Sequence, residues 1–147
     1  MNLRKLRHWI YRLEVIDGFI GVIGVCIVLA SALVVQFFGH EEPCPLCLLQ
    51  RVAFISVGLS FLLNVKCGNR AWHWAMAIIS AACGAAVSVR QICLHLTDPV
   101  GFGSAFFGLH MYTWCFILFI AVILGSSIML LIYPERNLQK ISIQQDH

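Results

Sequence analysis

The chain has 147 residues, of which 60% are hydrophobic and only 12% are charged, and its mean hydropathy is +0.85. Soluble domains contain about 45–50% apolar and about 25% charged residues, so this composition excludes an ordinary soluble protein. The same numbers exclude a disordered chain. The net charge of +3 gives no indication of a nucleic-acid partner. We therefore expect an integral membrane protein in which residues 1–147 form a single membrane domain.

Four apolar segments are each long enough to cross a bilayer as a helix, which requires about 20 residues. They cover approximately residues 19–38, 48–65, 71–89 and 111–133. The first segment is longer than the apolar region of a signal peptide, which has about 7–15 residues, and no small-residue cleavage site follows it. It is therefore predicted to be retained as a span. Because the connections are short, the fold class expected is all-α, an antiparallel four-helix bundle in the membrane.

The basic residues are distributed unevenly over the connections. Only Arg51 and Arg90 lie on one side of the predicted bundle. Eight others lie on the side of the two termini: Arg4, Lys5, Arg7, Arg12, Lys66, Arg70, Arg136 and Lys140. The positive-inside rule then places both termini in the cytoplasm and the outer loops, residues 39–47 and 90–110, on the opposite face. The N-terminal stretch up to Asp17 is predicted to form a short amphipathic helix along the inner membrane surface.

One pair among the seven cysteines has the spacing of a chemical site. Cys44 and Cys47 are separated by two residues on the predicted outer face, a spacing typical of a reversible redox disulfide or of half a metal site. Pro45 suits the first position of a helix, which makes Cys44 the cap residue. Its sulfur would then lie at the positive end of the helix dipole, where a thiolate is stabilised. The local sequence therefore favours redox chemistry.

A basic residue follows this pair at helical spacing. Arg51 comes four residues after Cys47, so the two share a face if the helix has begun. It is either an interfacial anchor that reaches the lipid phosphates or a functional cation at the membrane boundary. A dithiol in a membrane needs a lipid-soluble electron acceptor. A quinone with one carbonyl hydrogen-bonded to Arg51 would meet that need, because the cation stabilises negative charge on the quinone oxygen.

Three segments of the chain resemble one known family. Residues 41–51, EEPCPLCLLQR, resemble the first outer motif of the DsbB family of disulfide bond formation proteins. Residues 90–95, RQICLH, resemble the end of the family's third span, and residues 106–114, FFGLHMYTW, resemble the start of its fourth. With the four-span topology, the resemblance covers roughly residues 15–133.

The resemblance implies a multi-pass protein of the bacterial inner membrane with its active site on the periplasmic side. Such proteins use a quinone, ubiquinone or menaquinone, from the membrane pool to reoxidise a periplasmic thiol oxidase of thioredoxin-like fold. By position, Cys44 and Cys47 would form the catalytic disulfide, with Cys47 nearest the quinone, and Arg51 would be the main quinone ligand. Gln91 falls where the family often places a polar residue of the quinone pocket, and Arg90 is a further candidate. Both are equally compatible with solvation at a helix end.

The sequence departs from the family in its second outer loop. Complete family members carry a second cysteine pair there, whereas residues 96–110 contain no cysteine. Cys93 and Cys115 lie near the outer ends of neighbouring spans, but a disulfide needs Cα atoms about 4.4–6.8 Å apart and packed helix axes are about 8–10 Å apart. We therefore predict that a soluble partner docks directly on Cys44.

Two other functions stay open at this point. One is a membrane assembly protein whose CxxC pair forms a structural disulfide without turnover. The other is zinc binding, because four outward residues provide a Cys₂His₂ ligand count: Cys44, Cys47, His95 and His110. Either histidine is alternatively a proton donor to the quinone or a plain interfacial residue.

Overall fold

The computed structural model describes residues 3–39, 44–95, 105, 106 and 108–145, and the side chains at 16–38, 44–95, 108, 110–131. The described chain forms four helices and a minimal antiparallel hairpin in which Ala105 pairs with His110. The elements are α1 (Leu3–Gly39), α2 (Pro45–Cys67), α3 (Ala71–His95), β1 (Ala105–Phe106), β2 (Leu109–His110) and α4 (Met111–Gln145). The four-helix architecture is therefore confirmed.

Each helix contains a segment that is long and apolar enough to cross a membrane. Within the described residues there are four such segments: Ile16–Phe38, Pro45–Cys67, Ala71–His95 and Met111–Leu131. Many large apolar side chains on these segments are exposed at the surface of the bundle, Ile20, Phe38 and Leu131 among them. Such a surface suits lipid, whereas a soluble monomer rarely exposes a large contiguous apolar patch. The chain is a multi-pass membrane protein.

The helices extend beyond the predicted spans. Residues 90–95, predicted as outer loop, continue α3, because Gln91 places its polar side chain inside the bundle and satisfies it there. Residues 45–47, which the outer-loop bounds include, begin α2, in agreement with the helix start predicted at Pro45. The stretch before Asp17 is the start of α1 rather than a separate helix, and α4 continues past residue 133. The loop positions 40–43, 96–104 and 107 lie outside the described residues.

Small residues on α3 allow the helices to approach closely, as the sequence predicts. Ala77 and Ala81 are fully buried in the core. The ring of Phe119 on α4 lies over Gly84, where an added Cβ would come within 2.3 Å of it. Phe119 also stacks on Phe54 of α2 with ring centroids 4.1 Å apart. This packing holds α2, α3 and α4 in a defined register and sets the rotation of α3 about its axis.

Candidate redox site at the start of the second helix

The CxxC pair begins α2 in the way the local sequence predicts. Cys44 is the cap residue in an extended conformation (φ −69°, ψ 145°), and Pro45 takes the first helical position. The backbone N–H of Cys47 donates to Cys44 Sγ at 3.4 Å, and the N–H of Leu48 donates to the Cys44 carbonyl at 3.2 Å. Both cysteines are half-buried free thiols. The Cys44 sulfur therefore lies among the unpaired N–H groups of the helix start.

A glutamine of α3 reaches both sulfurs of the pair. Gln91 is 1% exposed, and its Nε2 donates to Cys47 Sγ at 3.5 Å and to Cys44 Sγ at 3.8 Å. This contact depends on the part of α3 that the sequence predicted as loop. The structure thus brings Gln91 to the cysteines, whereas its neighbour Arg90 is exposed.

Two further buried polar residues hold this glutamine. Gln50 on α2 donates through Nε2 to Gln91 Oε1 at 3.1 Å and to Ser88 Oγ at 2.9 Å. Ser88 in turn donates to the Gly84 carbonyl at 3.0 Å. The sequence analysis missed Gln50 and Ser88. The available signal was the presence of polar residues within apolar spans, which indicates a functional or packing role.

The Arg51 side chain forms hydrogen bonds with two residues of α1. Its Nη1 donates to Gln36 Oε1, and its Nη2 donates to the Ala32 carbonyl at 3.3 Å. The side chain is half-buried. A guanidinium has five N–H donors, so these two bonds leave further donors on the group. Arg51 therefore links α2 to α1. It lies one helical turn after Cys47 along α2.

The two outward histidines lie against one aromatic ring. His95 donates from Nδ1 to the Gln91 carbonyl at 2.9 Å. The rings of His95 and His110 stack with Tyr112, with centroid distances of 5.7 Å and 5.3 Å. Among the described residues, which include both histidines and both cysteines of the pair, no group of three or more Cys, His, Asp or Glu has an arrangement able to hold a metal ion.

The remaining candidate cysteines are not joined to each other. Cys93 is an exposed free thiol, whereas Cys115 is half-buried and packs against the hydrophobic core. A soluble protein reaches a core-packed sulfur poorly. That the two do not act as a second exchange pair stays a prediction.

An apolar cavity of about 430 Å³ lies between α1 and α4. Ligand pockets commonly have volumes of about 300–1,000 Å³. Phe54 lines the end of the cavity nearer the cysteines, one turn beyond Arg51, and Asp17 lines the far end. Gly24 and Gly125 also line it, and an added Cβ at either glycine would meet no atom within 4 Å. Both glycines are exposed, so the cavity is a groove between α1 and α4 that opens to the surface of the bundle within the membrane-spanning segments.

The fold and this site define a multi-pass membrane protein with a capped CxxC pair at one end of a helical bundle. Residues 18–102 match the family model described as Disulfide bond formation protein DsbB. The chain belongs to the DsbB family, and the resemblance noted from the motifs is confirmed.

Curated relatives agree with this assignment. The chain is 33% identical over 94 residues to Disulfide bond formation protein B of Xanthomonas campestris pv. campestris (strain 8004), covering 60% of this chain and 53% of that protein. The protein of the same name from Chromobacterium violaceum is 40% identical over 84 residues, which cover 53% of this chain and 50% of that protein. The one from Cupriavidus pinatubonensis is 40% identical over 73 residues, which cover 49% of this chain and 45% of that protein. The chain thus spans about half the length of these relatives. No solved structure matches it.

Proposed function

We propose that the protein is a thiol:quinone oxidoreductase that supports disulfide bond formation through Cys44 and Cys47. The observation that carries this proposal is the convergence of hydrogen-bond donors on the two sulfurs. The Cys47 N–H reaches one sulfur, and the Gln91 amide reaches both. Donors of this kind stabilise a thiolate, which is the reactive form in disulfide exchange. Membership of a family named for disulfide bond formation supports the same chemistry.

The proposed exchange step assigns the attacked sulfur to Cys44 and the leaving sulfur to Cys47. A partner thiolate attacks Cys44 Sγ of the disulfide, a new S–S bond forms to the partner, and Cys47 leaves as a thiolate. A second partner thiol then attacks the mixed disulfide, so that the partner leaves oxidised. Cys44 and Cys47 are now both reduced, having received two electrons. The Gln91 amide lies beside the leaving sulfur and stabilises its charge.

The residues present fit a quinone as the group that removes these electrons. A quinone accepts two electrons and two protons when it is reduced to the quinol. Arg51 offers donors to a carbonyl oxygen at the edge of the bundle, and we propose it as the main quinone ligand. The apolar cavity that begins one turn further along α2, at Phe54, offers room for an apolar chain. Arg90 and Gln91 as direct quinone ligands stay predictions from the family motif.

The setting of the reaction is part of the proposal. The distribution of basic residues supports cytoplasmic termini and a cysteine pair on the periplasmic side of a bacterial inner membrane. We propose that the partner is a periplasmic thiol oxidase of thioredoxin-like fold, which docks directly on Cys44. The quinone is ubiquinone or menaquinone from the membrane pool.

Quinone-dependent turnover tests the proposal. The purified protein in detergent is mixed with a reduced thioredoxin-fold thiol oxidase and a soluble ubiquinone or menaquinone analogue, and quinol formation is followed. We expect one quinol for each partner disulfide formed. Absence of turnover with either quinone would support the structural-disulfide alternative, and one equivalent of tightly bound zinc in the purified protein would support the metal alternative.

A further inference from the structure

The hydrogen bonds around Gln91 form two arms that diverge from the NH₂ group of Gln50, one ending on the Gly84 carbonyl and the other on the sulfurs of the CxxC pair. The Gly84 carbonyl can only accept, so the single hydroxyl hydrogen of Ser88 is used in the bond to it. Ser88 Oγ accepts from Gln50 Nε2, so the NH₂ group of Gln50 faces Ser88. In the structure the NH₂ group of Gln50 thus lies toward α3, where it has two acceptors, Ser88 Oγ and Gln91 Oε1.

The second arm leads from Gln50 to the sulfurs. With the NH₂ group of Gln50 toward α3, its other hydrogen is donated to Gln91 Oε1. The amide of Gln91 is planar, so its own NH₂ group faces the opposite way, toward Cys44 and Cys47. Residues Gln50, Ser88 and Gln91 are 4%, 0% and 1% exposed. Water therefore competes little for any of these bonds, and the bond from Gln50 to Gln91 polarises the bonds from Gln91 to the sulfurs.

We propose that Gln91 is a catalytic residue that stabilises the reduced form of the Cys44–Cys47 pair, and that Gln50 and Ser88 are positioning residues that keep its NH₂ group on the sulfurs. This proposal rests on the proposed function, in which the pair is redox-active. It differs from a role for Gln91 as a quinone ligand, because the effect is exerted on the sulfurs and is present without quinone.

The energetic consequence concerns the balance between dithiol and disulfide. In exchange with glutathione, two glutathione thiols reduce the disulfide, giving one oxidised glutathione and the two free thiols. A donor N–H binds a thiolate more strongly than a neutral disulfide sulfur, and only the reduced pair contains a sulfur that can ionise. Gln91 therefore favours the dithiol side and makes the Cys44–Cys47 disulfide a stronger oxidant than it would be without the amide.

The test measures this equilibrium in quinone-free protein. Full-length protein in detergent is equilibrated with glutathione buffers of graded ratio, quenched by alkylation, and the Cys44–Cys47 disulfide is quantified by peptide mass. The variants are Gln91→Met, which keeps a similar side-chain volume without the donor, Gln91→Glu and Ser88→Ala. Ser60→Ala is the matched control. Ser60 is also buried and also donates to a carbonyl four residues earlier, at 2.9 Å, but it lies on α2 away from the cysteines.

Gln91→Met is expected to shift the equilibrium about tenfold toward the disulfide, the size of one charge-assisted hydrogen bond, which is about 30 mV for a two-electron couple. Gln91→Glu should shift it further, because a carboxylate replaces the donor beside the sulfurs. Ser88→Ala should shift it about threefold in the same direction, and Ser60→Ala should leave it unchanged. If Ser88 only maintained the fold, Ser88→Ala and Ser60→Ala would both lower thermal stability. The redox equilibrium of Cys44 and Cys47 in Ser88→Ala would then equal that of the wild type.

Two outcomes separate this proposal from the one on which it depends. If wild-type Cys44 and Cys47 form no disulfide at any glutathione ratio, the proposed function fails. If they do, and Gln91→Met has the wild-type equilibrium constant, the role of Gln91 is overturned while the proposed function stands. Should Gln91→Met not fold, a wild-type constant in both Gln91→Glu and Ser88→Ala overturns it equally.

Discussion

Two buried polar clusters join α2 to α3, one at each end of these two helices. The cysteine-end cluster contains Gln50, Ser88 and Gln91 and terminates on the sulfurs of Cys44 and Cys47. The turn-end cluster lies beside the short connection at residues 68–70. There His73 Nδ1 is 2.9 Å from Asn64 Oδ1, and Trp74 Nε1 donates to Asn69 Oδ1.

The difference between the clusters lies in where the hydrogen bonds end. Asn64 Nδ2 and His73 Nε2 are buried without a hydrogen-bond partner within the described part of the chain, and the Asn69–Trp74 bond only closes the turn. No side-chain nitrogen or oxygen of the cysteine-end cluster is left buried in this way. Burial and residue type are similar in the two clusters. Hydrogen bonds that end on reactive sulfurs favour a chemical role for the cysteine-end cluster. Hydrogen bonds that end within the connection between the two helices favour a structural role for the turn-end cluster.

The largest effect should come from the cysteines themselves. Cys44→Ser and Cys47→Ser should each abolish quinone-dependent oxidation of a thiol partner, because a single sulfur cannot form the intramolecular disulfide that delivers two electrons. Cys67→Ser is the control, since Cys67 ends the same helix at the turn end and should keep the wild-type rate. Substantial turnover in either Cys44→Ser or Cys47→Ser would refute the assignment of the site.

Arg51→Lys should have the next largest effect. Lysine keeps the positive charge but loses the planar set of donors that bonds Gln36 and Ala32 while orienting a quinone carbonyl. We expect the apparent KM for quinone to rise roughly threefold to tenfold, as for the loss of one hydrogen bond. Steady-state kinetics with a soluble quinone analogue measures this. Arg70→Lys at the turn end is the control, and a KM equal to that of the control would show that Arg51 is only an interfacial anchor.

Substitution at the turn end should affect stability and leave the chemistry unchanged. Asn64→Ala removes the partner of His73 Nδ1, which is fully buried, and an unpaired buried polar group costs about 1–3 kcal/mol. We expect a lower midpoint of thermal unfolding in detergent and an unchanged quinone-dependent rate per folded molecule. A change in the redox equilibrium of Cys44 and Cys47 in this variant would show that the two clusters are coupled, which contradicts a purely structural role for the turn-end cluster.

The smallest effect is expected for the two cysteines outside the CxxC pair. The double variant Cys93→Ser/Cys115→Ser should retain most of the thiol oxidation rate, because Cys93 is exposed on α3 while Cys115 packs against the core. The comparison is made with the partner protein as substrate and quinone as acceptor. Loss of partner oxidation, with Cys44 and Cys47 still oxidised by quinone, would establish a two-pair relay and contradict direct docking on Cys44.

Local sequence determines some parts of this site and leaves others undetermined. The cap at Cys44 and the helix start at Pro45 depend on neighbouring residues, so both were predictable. Helical spacing places Arg51 near Cys47, but it does not indicate that the guanidinium contacts α1. The contact of Gln91 with the sulfurs depends on the rotation of α3 against α2, which the packing of Phe119 over Gly84 determines.

The helix α3 continues beyond the third span predicted for residues 71–89. The sequence predicts a third span that ends at about residue 89, with Arg90 and Gln91 in the outer loop that follows. In the structure Gln91 turns inward to bonding partners, so the helix continues to His95. Sequence polarity indicates that a side chain avoids lipid, but it does not distinguish a position in water from one inside a satisfied network.

A single-turnover measurement tests most directly whether Cys44 and Cys47 exchange electrons with quinone. Fully reduced protein, without any partner, is mixed with one equivalent of ubiquinone or menaquinone analogue, and thiol loss is mapped by alkylation while quinol is measured by absorbance. The account predicts one quinol for each Cys44–Cys47 disulfide formed, with no quinol from the Cys44→Ser variant. Persistence of both thiols with either quinone, or thiol loss located at Cys93 and Cys115 instead, would contradict it.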